Sequence, residues 1–461
     1  MVKVRTICRN PKEYEKRSEK DVMKMHRNPD PKLNPFQEAR EYQRALNAAK
    51  VEKIFAKPFL SALDTHSDGI TWMAKNINSM VDFVTGSVDG VIVAWNLHTK
   101  SETHVISAHK NAVRGLTYAN PSHINLTDSI FLSTGDDKAI NIWSLNNLDK
   151  QKKVRKQGNK VSYQPKAQYT SKTIVSNIDH NYEESKFATA GSIVQVWDYE
   201  RSEPISKFDW GMDSVHHLRF NPSETNLIAA SASDRSICLY DIRGNTPLKR
   251  LFLKNKSSCL CWNPYEPINF VVGNEDSNCY TFDMRKLDEA KMIHKDHTNA
   301  ILDIDFAPTG KEFVTGSFDK TIRIFPFNNG RSREVYHTKR MQQVNAIWYS
   351  MDSKFIVSGS EDTNVRIWKS HASYSLKPLL PREKEKIAYS NQLKKKFSYN
   401  KEIKRIMRHK HVPKIIKKKQ EIKHIQNESR NRKDKNIREN SKTGTLPYIA
   451  ERKKRIDGVE E

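Results

Sequence analysis

One pattern recurs seven times along this chain and leaves little freedom in its fold: small residues, an Asp, then a β-branched strand ending in an aromatic residue. Six copies read VTGSVDGVIVAWN at Trp95, STGDDKAINIWS at Trp143, SASDRSICLYD at Tyr240, GNEDSNCYTFD at Phe282, VTGSFDKTIRIF at Phe325 and VSGSEDTNVRIWK at Trp368. In each, an Asp stands six residues before the aromatic: Asp89, Asp137, Asp234, Asp276, Asp319 and Asp362. A seventh, ATAGSIVQVWD at Trp197, keeps the strand but has Gly191 at that place. Successive aromatics lie 48, 54, 43, 42, 43 and 43 residues apart, close to the ~40–45-residue period of a four-stranded propeller blade.

The chemistry of the pattern supports this reading. Asp suits a tight turn because its carboxylate can accept a hydrogen bond from its own main chain. The strand after the turn alternates, as in Thr321-Ile-Arg-Ile-Phe325, which places Ile322 and Ile324 on one buried face. The predicted fold is all-β: a seven-bladed β-propeller over residues 55–370, with helical, basic extensions at 1–54 and 371–461. Phe59–Leu63 is expected to supply the outer strand of the last blade, which would remove a free sheet edge.

A His precedes four of the copies: His66, His109, His297 and His337. At these residues the sequence resembles the WD-repeat family. That resemblance implies a buried relay within a blade, running from His through a strand Ser or Thr and the turn Asp to the strand Trp. The expected sets are His66 with Asp89 and Trp95, and His109 with Asp137 and Trp143. His297 is expected with Asp319, and His337 with Asp362 and Trp368, while Phe325 lacks the indole N–H. The middle blades show no obvious His. A repeated His–Asp–Ser set argues for blade stability, since a catalytic triad is needed only once. No phosphate-binding Gly-rich loop ending in Lys-Ser/Thr is present. His409 and His411 could form a metal pair but sit among Lys and Arg, and Cys259 and Cys261 read as small apolar strand residues. No catalytic residue, metal site, cofactor or small-molecule substrate is expected.

Charge divides the chain in the same places as the pattern. Residues 1–60 carry 15 basic and 8 acidic side chains, residues 61–370 carry 37 and 35, and residues 371–461 carry 27 and 11. The body is nearly neutral and most of the net +25 sits at the ends, which suggests a polyanionic partner met there. Residues 149–166, responsible for the long 54-residue spacing, hold seven Lys or Arg and one Asp and read as a basic surface loop. The five Cys contain no Cys-x-x-Cys, no run approaches the ~18 apolar residues of a membrane span, and Met1 is followed by no apolar stretch. These features predict a reduced, soluble, intracellular protein with no membrane contact.

In the N-terminal extension, Asn34 as cap, Pro35 at the first helical position and Gln37 predict a helix reaching about Lys53, with Phe36, Ala39, Leu46 and Ala49 on one side. In the C-terminal one, Ile403, Ile406, Ile415, Ile422 and Ile425 predict helices with a narrow apolar seam, broken at Pro413. Such helices are expected to order against RNA phosphates or a larger assembly. The residues expected to make that contact are Lys404, Arg405, Arg408, Lys410, Lys414, Lys417, Lys418 and Lys419, then Arg452, Lys453, Lys454 and Arg455, a cluster that could also serve nuclear import.

Beyond the propeller pattern, the chain resembles WD-repeat proteins with a Sof-type C-terminal domain. The resemblance rests on Arg9-Asn-Pro, AREYQRALNAAKVEKIFAKPFL at 39–60, SFDKTIRIFPF at 317–327, SREVYHTKRMQ at 332–342, KRIMRHKHVPK from Lys404, and NSKTG from Asn440. Thr443, where the family usually has Pro, and the 149–166 insertion depart from it. The resemblance implies a non-enzymatic factor of the nucleus and nucleolus, a small-subunit processome component acting in pre-18S rRNA processing. Its partners would be pre-rRNA, the small nucleolar ribonucleoprotein and other processome proteins. Relatives are also described as substrate receptors of cullin-RING ubiquitin ligases, which dock on an adaptor through Trp/Tyr-Asp-x-Arg. Tyr240, Asp241 and Arg243 fit that motif, and Asp283 and Arg285 after Phe282 fit it loosely.

Overall fold

Each repeat folds into a four-stranded antiparallel sheet, and seven such sheets make up the propeller. The computed structural model describes residues 32, 35–119, 129–148, 163–209, 211, 213–244, 246–442 and 445–460. Expectations concerning Cys8, Arg9-Asn-Pro, the Asn34 cap, Thr443 and residues 149–162 lie outside these. Blades 1 to 6 span 70–107, 113–170, 177–208, 215–253, 257–295 and 301–336. Blade 7 takes three strands from 344–369 and its fourth from Phe59–Leu63, which pairs antiparallel with Val365–Lys369 (Leu63 opposite Val365, Phe59 opposite Trp368). The edge expected to be covered by that strand is covered by it.

The small residues of the pattern have a steric cause. A Cβ added at Gly86 would lie 2.7 Å from Val113 Cγ1 of blade 2, and one at Gly359 would lie 2.6 Å from Ile70 Cγ2 of blade 1. Neighbouring blades approach so closely there that only Gly fits. The aromatics that end the pattern fill the space between sheets, with Trp143, Trp197 and Trp368 among the largest fully buried side chains.

The turn geometry falls one residue beyond the Asp. Gly90, Lys138, Arg235, Ser277, Lys320 and Thr363 each follow a repeat Asp, and all have φ between 63° and 80°. Five of these six are not Gly, and left-handed backbone costs such residues roughly 1 kcal/mol or more. The Asp offsets this by accepting from the amide two residues on: Asp89 from Val91 at 3.1 Å, Asp137 from Ala139 at 3.2 Å, Asp319 from Thr321 at 3.0 Å. Blade 3 lacks the Asp for a simple reason. Phe187 faces Trp197 across ten residues of chain, whereas Phe83 faces Trp95 across twelve. The hairpin of blade 3 is two residues shorter, and the turn that would hold the Asp is absent.

Blade 4 carries a fifth strand that the sequence did not announce. Ile456–Glu460 pairs antiparallel with Pro247–Leu253, Arg250 opposite Glu460, and Ile456 and Val459 pack against the cluster around Leu251 and Trp262.

The described chain forms two compact units: Pro58–His371 with Lys410–Glu461, and Met1–Lys57 with Ala372–His409. The smaller unit contains α1 (Gln37–Ile54), α2 (Pro381–Lys396) and α3 (Lys401–Arg408). Its core is Ala45, Leu46, Leu393, Phe397 and Ile403, with Tyr42 and Ile406 packed against it. Of the expected stripe, Leu46 and Ala49 are buried but Phe36 and Ala39 are exposed, so the stripe observed on α1 is shorter. It starts at Tyr42, because α2 and α3 cover only the later turns of α1. No side chain caps α1, whose preceding residue is Phe36. The larger unit adds α4 (Lys414–Glu439). There Ile416 is buried, whereas Ile415, Ile422 and Ile425 are exposed, so the expected Ile seam is not what holds α4. No described helix is long and apolar enough to cross a membrane.

Candidate protein and nucleic-acid interfaces

The relay singled out in the sequence is laid out in full in blade 2. Trp143 Nε1 can only donate, and it donates to Ser133 Oγ at 3.0 Å. Ser133 then gives its proton to His109 Nε2 at 2.8 Å, leaving His109 Nδ1–H to donate to Asp137 at 3.0 Å. Blade 6 repeats the arrangement without the indole: His297 contacts Thr315 Oγ1 at 2.7 Å and Asp319 at 2.9 Å. Burial draws His297 downward, which keeps it a neutral donor to Asp319. For Asp319, burial pushes upward, but His297 and the nearby Arg323 guanidinium outweigh it and hold the carboxyl well below the usual range.

The other two sets differ from expectation. His66 Nε2 meets Thr85 Oγ1 at 2.6 Å and Trp95 donates to the same oxygen at 2.8 Å, but His66 Nδ1 has no partner. Asp89 turns instead to the Ser67 hydroxyl at 2.5 Å. In blade 7, Arg366 takes both oxygens of Asp362, reaching one at 3.0 Å. The guanidinium displaces His337, whose ring stacks on His411 with centroids 5.2 Å apart. Trp368 still donates to Ser358 at 2.9 Å. Three buried His in the middle blades escaped the sequence reading, His180, His217 and His294. His294 joins Thr281 at 3.0 Å to the Asn329 carbonyl at 2.9 Å, and His180 contacts the Asn181 carbonyl at 2.5 Å. His180 lies on the first strand of its blade and His294 on the last, outside the loop where the pattern places its His.

Among the described residues no three His, Cys, Asp or Glu could hold a metal ion. Burial raises the thiols of Cys259 and Cys261, the latter to about 12, away from reactivity.

The basic residues of the tail divide into two kinds. Lys404, Arg405 and Arg408 on α3 and Lys414, Lys417, Lys418 and Lys419 on α4 are exposed, as are Arg452 and Lys453. Lys410 is not available in the same way: its Nζ lies 3.1 Å from Asp296 and 2.9 Å from Ser332 Oγ. Burial would raise Asp296, but Lys410, Ser332 and Arg331 hold it at about 2. Two further side chains fasten α4 to the propeller. Gln420 donates to the Asp296 carbonyl at 2.7 Å, and Lys423 reaches the Asp276 and His297 carbonyls at 3.3 Å and the Ser277 hydroxyl. Lys454 pairs with Asp434 at 3.2 Å and Arg455 with Asp276 at 3.7 Å. The helix is thus held by polar and charged contacts where an apolar seam was expected.

Blades 4 and 5 present the same small device side by side. Asp241 accepts from the Arg243 amide at 3.0 Å and from its guanidinium at 3.2 Å. Asp283 holds Arg285 in the same way, at 3.0 Å through the amide and 2.9–3.1 Å through the guanidinium. Both Arg side chains are about two-thirds exposed, at 67% and 68%. Tyr240 is fully buried and serves the core.

Comparison with known proteins agrees with this architecture. The WD domain, G-beta repeat family matches residues 100–144, 202–241, 289–325 and 333–369, and the Sof1-like domain family matches residues 370–456. The chain is 43% identical over 460 residues to "DDB1- and CUL4-associated factor 13" of Xenopus laevis, covering 100% of both chains. It is 44% identical over 466 residues to "Protein SOF1" of Saccharomyces cerevisiae, covering 99% of this chain and 95% of that one. The human factor 13 is 43% identical over 99% of this chain. With a seven-bladed propeller, a matching C-terminal domain and end-to-end similarity to these relatives, the chain belongs to the family of WD-repeat proteins with a Sof1-like domain.

Proposed function

We propose that this protein is a non-enzymatic ribosome-biogenesis factor, a scaffold in the small-subunit processome that supports pre-18S rRNA processing and assembly of the 40S subunit. The observation that carries the reading is the separation of charge. A nearly neutral propeller bears a C-terminal segment of net +16, whose Lys404, Arg405, Arg408, Lys414, Lys417, Lys418 and Lys419 point to solvent from two helices. Exposed cations on helices suit RNA phosphates, with the propeller free to hold protein neighbours. Full-length similarity to Protein SOF1 supports the same reading. The nucleus, and within it the nucleolus, is the proposed location.

Crosslinking of the full chain in cells followed by RNA sequencing tests this. Reads should concentrate on the precursor of 18S rRNA and the small nucleolar RNA paired with it. Reads no denser there than on other abundant RNAs would overturn the proposal.

A second role rests on a separate observation, the matched Asp–Arg pairs of blades 4 and 5, and on relatives named DDB1- and CUL4-associated factor 13. Under this reading the two exposed guanidiniums dock the chain on the adaptor of a cullin-RING ubiquitin ligase as a substrate receptor. Arg243→Ala combined with Arg285→Ala should abolish co-purification of DDB1 and leave RNA crosslinking intact. Unchanged co-purification would rule out this docking route.

A further inference from the structure

The residues of α4 that line the gap beside the propeller are polar almost throughout, Ile425 apart. The gap is a cavity of about 1030 Å³ walled by α4, by blades 5 and 6, and by residues 449–455. Its size exceeds that of most small-molecule pockets. Eight Lys or Arg line it against four Asp or Glu.

That excess of cations survives the internal pairing. Lys295 is matched by Glu451 at 2.5 Å, Lys454 by Asp434 at 3.2 Å, and Arg331 by Asp296 at 2.8 Å. Lys423 spends its three protons on propeller oxygens, and Arg455 leans on Asp276. Lys254 on the propeller side, with Lys417 and Arg430 on α4, remain without a carboxylate within salt-bridge distance among the described residues. They stand on opposite walls of the gap, so an anion between them would be held from both sides. The amides of Asn427 and Asn431 line the same wall as Arg430 and can bond phosphate or sugar hydroxyls. The cavity offers little aromatic face for base stacking: Tyr280 and His297 are buried and bonded to Asp276 and Asp319, and the exposed imidazole of His424 lies 3.4 Å from Glu428.

We propose that this cavity is a composite site for the sugar-phosphate backbone of single-stranded RNA, built jointly by the propeller and its own C-terminal segment. The proposal rests on the RNA reading given above and places part of that contact. The tail is then more than a loose basic arm, because the propeller contributes Lys254 to the same strand. Because its cations and amides reach phosphate and sugar, the site grips backbone and tolerates any sequence.

The test measures binding of the full chain to a fluorescein-labelled single-stranded oligouridine by anisotropy across a salt series. Lys254→Glu with Arg430→Glu changes opposite walls of the cavity. Arg432→Glu with Lys433→Glu makes the same change in charge on α4, at exposed residues that do not line it. The cavity pair should weaken binding by about tenfold or more and flatten the salt dependence by roughly one to two phosphates, with the outer pair changing it about threefold or less. Lys254→Gln with Arg430→Gln should show the same order of effects, and an unchanged thermal transition confirms that it is folded. Equal weakening by the cavity and outer pairs would overturn the composite site while leaving RNA binding in place. Absence of binding by the unaltered chain would overturn the RNA reading itself. Displacement of the oligouridine by inorganic tripolyphosphate, beyond the effect of matched ionic strength, would overturn a strand site in favour of one for a small polyphosphate.

Discussion

Asp319→Ala is expected to destabilise the protein by about 3–5 kcal/mol, whereas Asp89→Ala, at the same position of another repeat, should cost about 1 kcal/mol. The two residues are equivalent in the sequence but differ in surroundings. Asp319 is 1% exposed and accepts from His297 Nδ1 at 2.9 Å, the Thr298 amide at 3.2 Å, the Thr321 amide at 3.0 Å and the Thr321 hydroxyl at 2.5 Å. Its charge also faces Arg323, itself 1% exposed, whose other carboxylate, Asp296, is 3.9 Å away. Removing Asp319 therefore strands an imidazole N–H, two amides and part of a buried guanidinium charge. Asp89 is exposed, bonds only to the Ser67 hydroxyl and its own turn, and leaves His66 Nδ1 unpaired even in the intact protein. Urea unfolding at pH 7.5 separates the cases, with Asp319→Asn as a milder variant if the Ala form does not accumulate. Equal shifts in the unfolding midpoint would show that the relay contributes nothing beyond the turn it stands in.

This contrast marks what could and could not be read from the residues. The seven repeats, their order and the closing strand Phe59–Leu63 follow from local patterns, since alternation and turn chemistry act over a few residues. Relay partners do not, because the pattern fixes where an Asp stands but not which neighbour outcompetes His for it. At Asp362 the winner is Arg366, four residues away on the repeat strand at a position the pattern leaves open. The strand Ile456–Glu460 was hidden because it has few apolar residues and pairs with an edge some two hundred residues earlier. The cavity was hidden for an electrostatic reason. Summed over 61–370 the charge is only +2, yet Lys254 is brought opposite Lys417 and Arg430, and a local field depends on neighbours in space.

The second large effect is acid lability between pH 6.5 and about 4. His66, His180 and His294 are buried, and burial lowers each to about 4, against the smaller upward pull of Asp89 on His66, the Asn181 carbonyl on His180 and the Asn329 carbonyl on His294. A folded-state value depressed below that of the unfolded chain means that the unfolded chain binds protons first as pH falls. The stability these three contribute is complete above pH 6.5 and is lost progressively toward pH 4, at roughly 2 kcal/mol each by pH 5. Asp303 works the other way. Burial raises it to about 7 despite its bond from the Ile347 amide, so it favours the folded state when protonated and loses that contribution as pH rises through 7. Between pH 7.5 and 5 it returns about 2–3 kcal/mol, leaving a net loss of about 3 kcal/mol from these four groups, to which His109, His217 and His297, also drawn down by burial, add. Asp303→Asn should expose the opposition. The amide oxygen can still accept from Ile347, the titration disappears, and the variant should gain stability at pH 8 while falling more steeply than the unaltered chain toward pH 5. Urea unfolding midpoints at pH 8, 6.5 and 5 for the two proteins measure this directly. Parallel pH curves would mean that Asp303 does not titrate in the range, and a flat curve for the unaltered chain would mean that the three His are not held neutral by the fold.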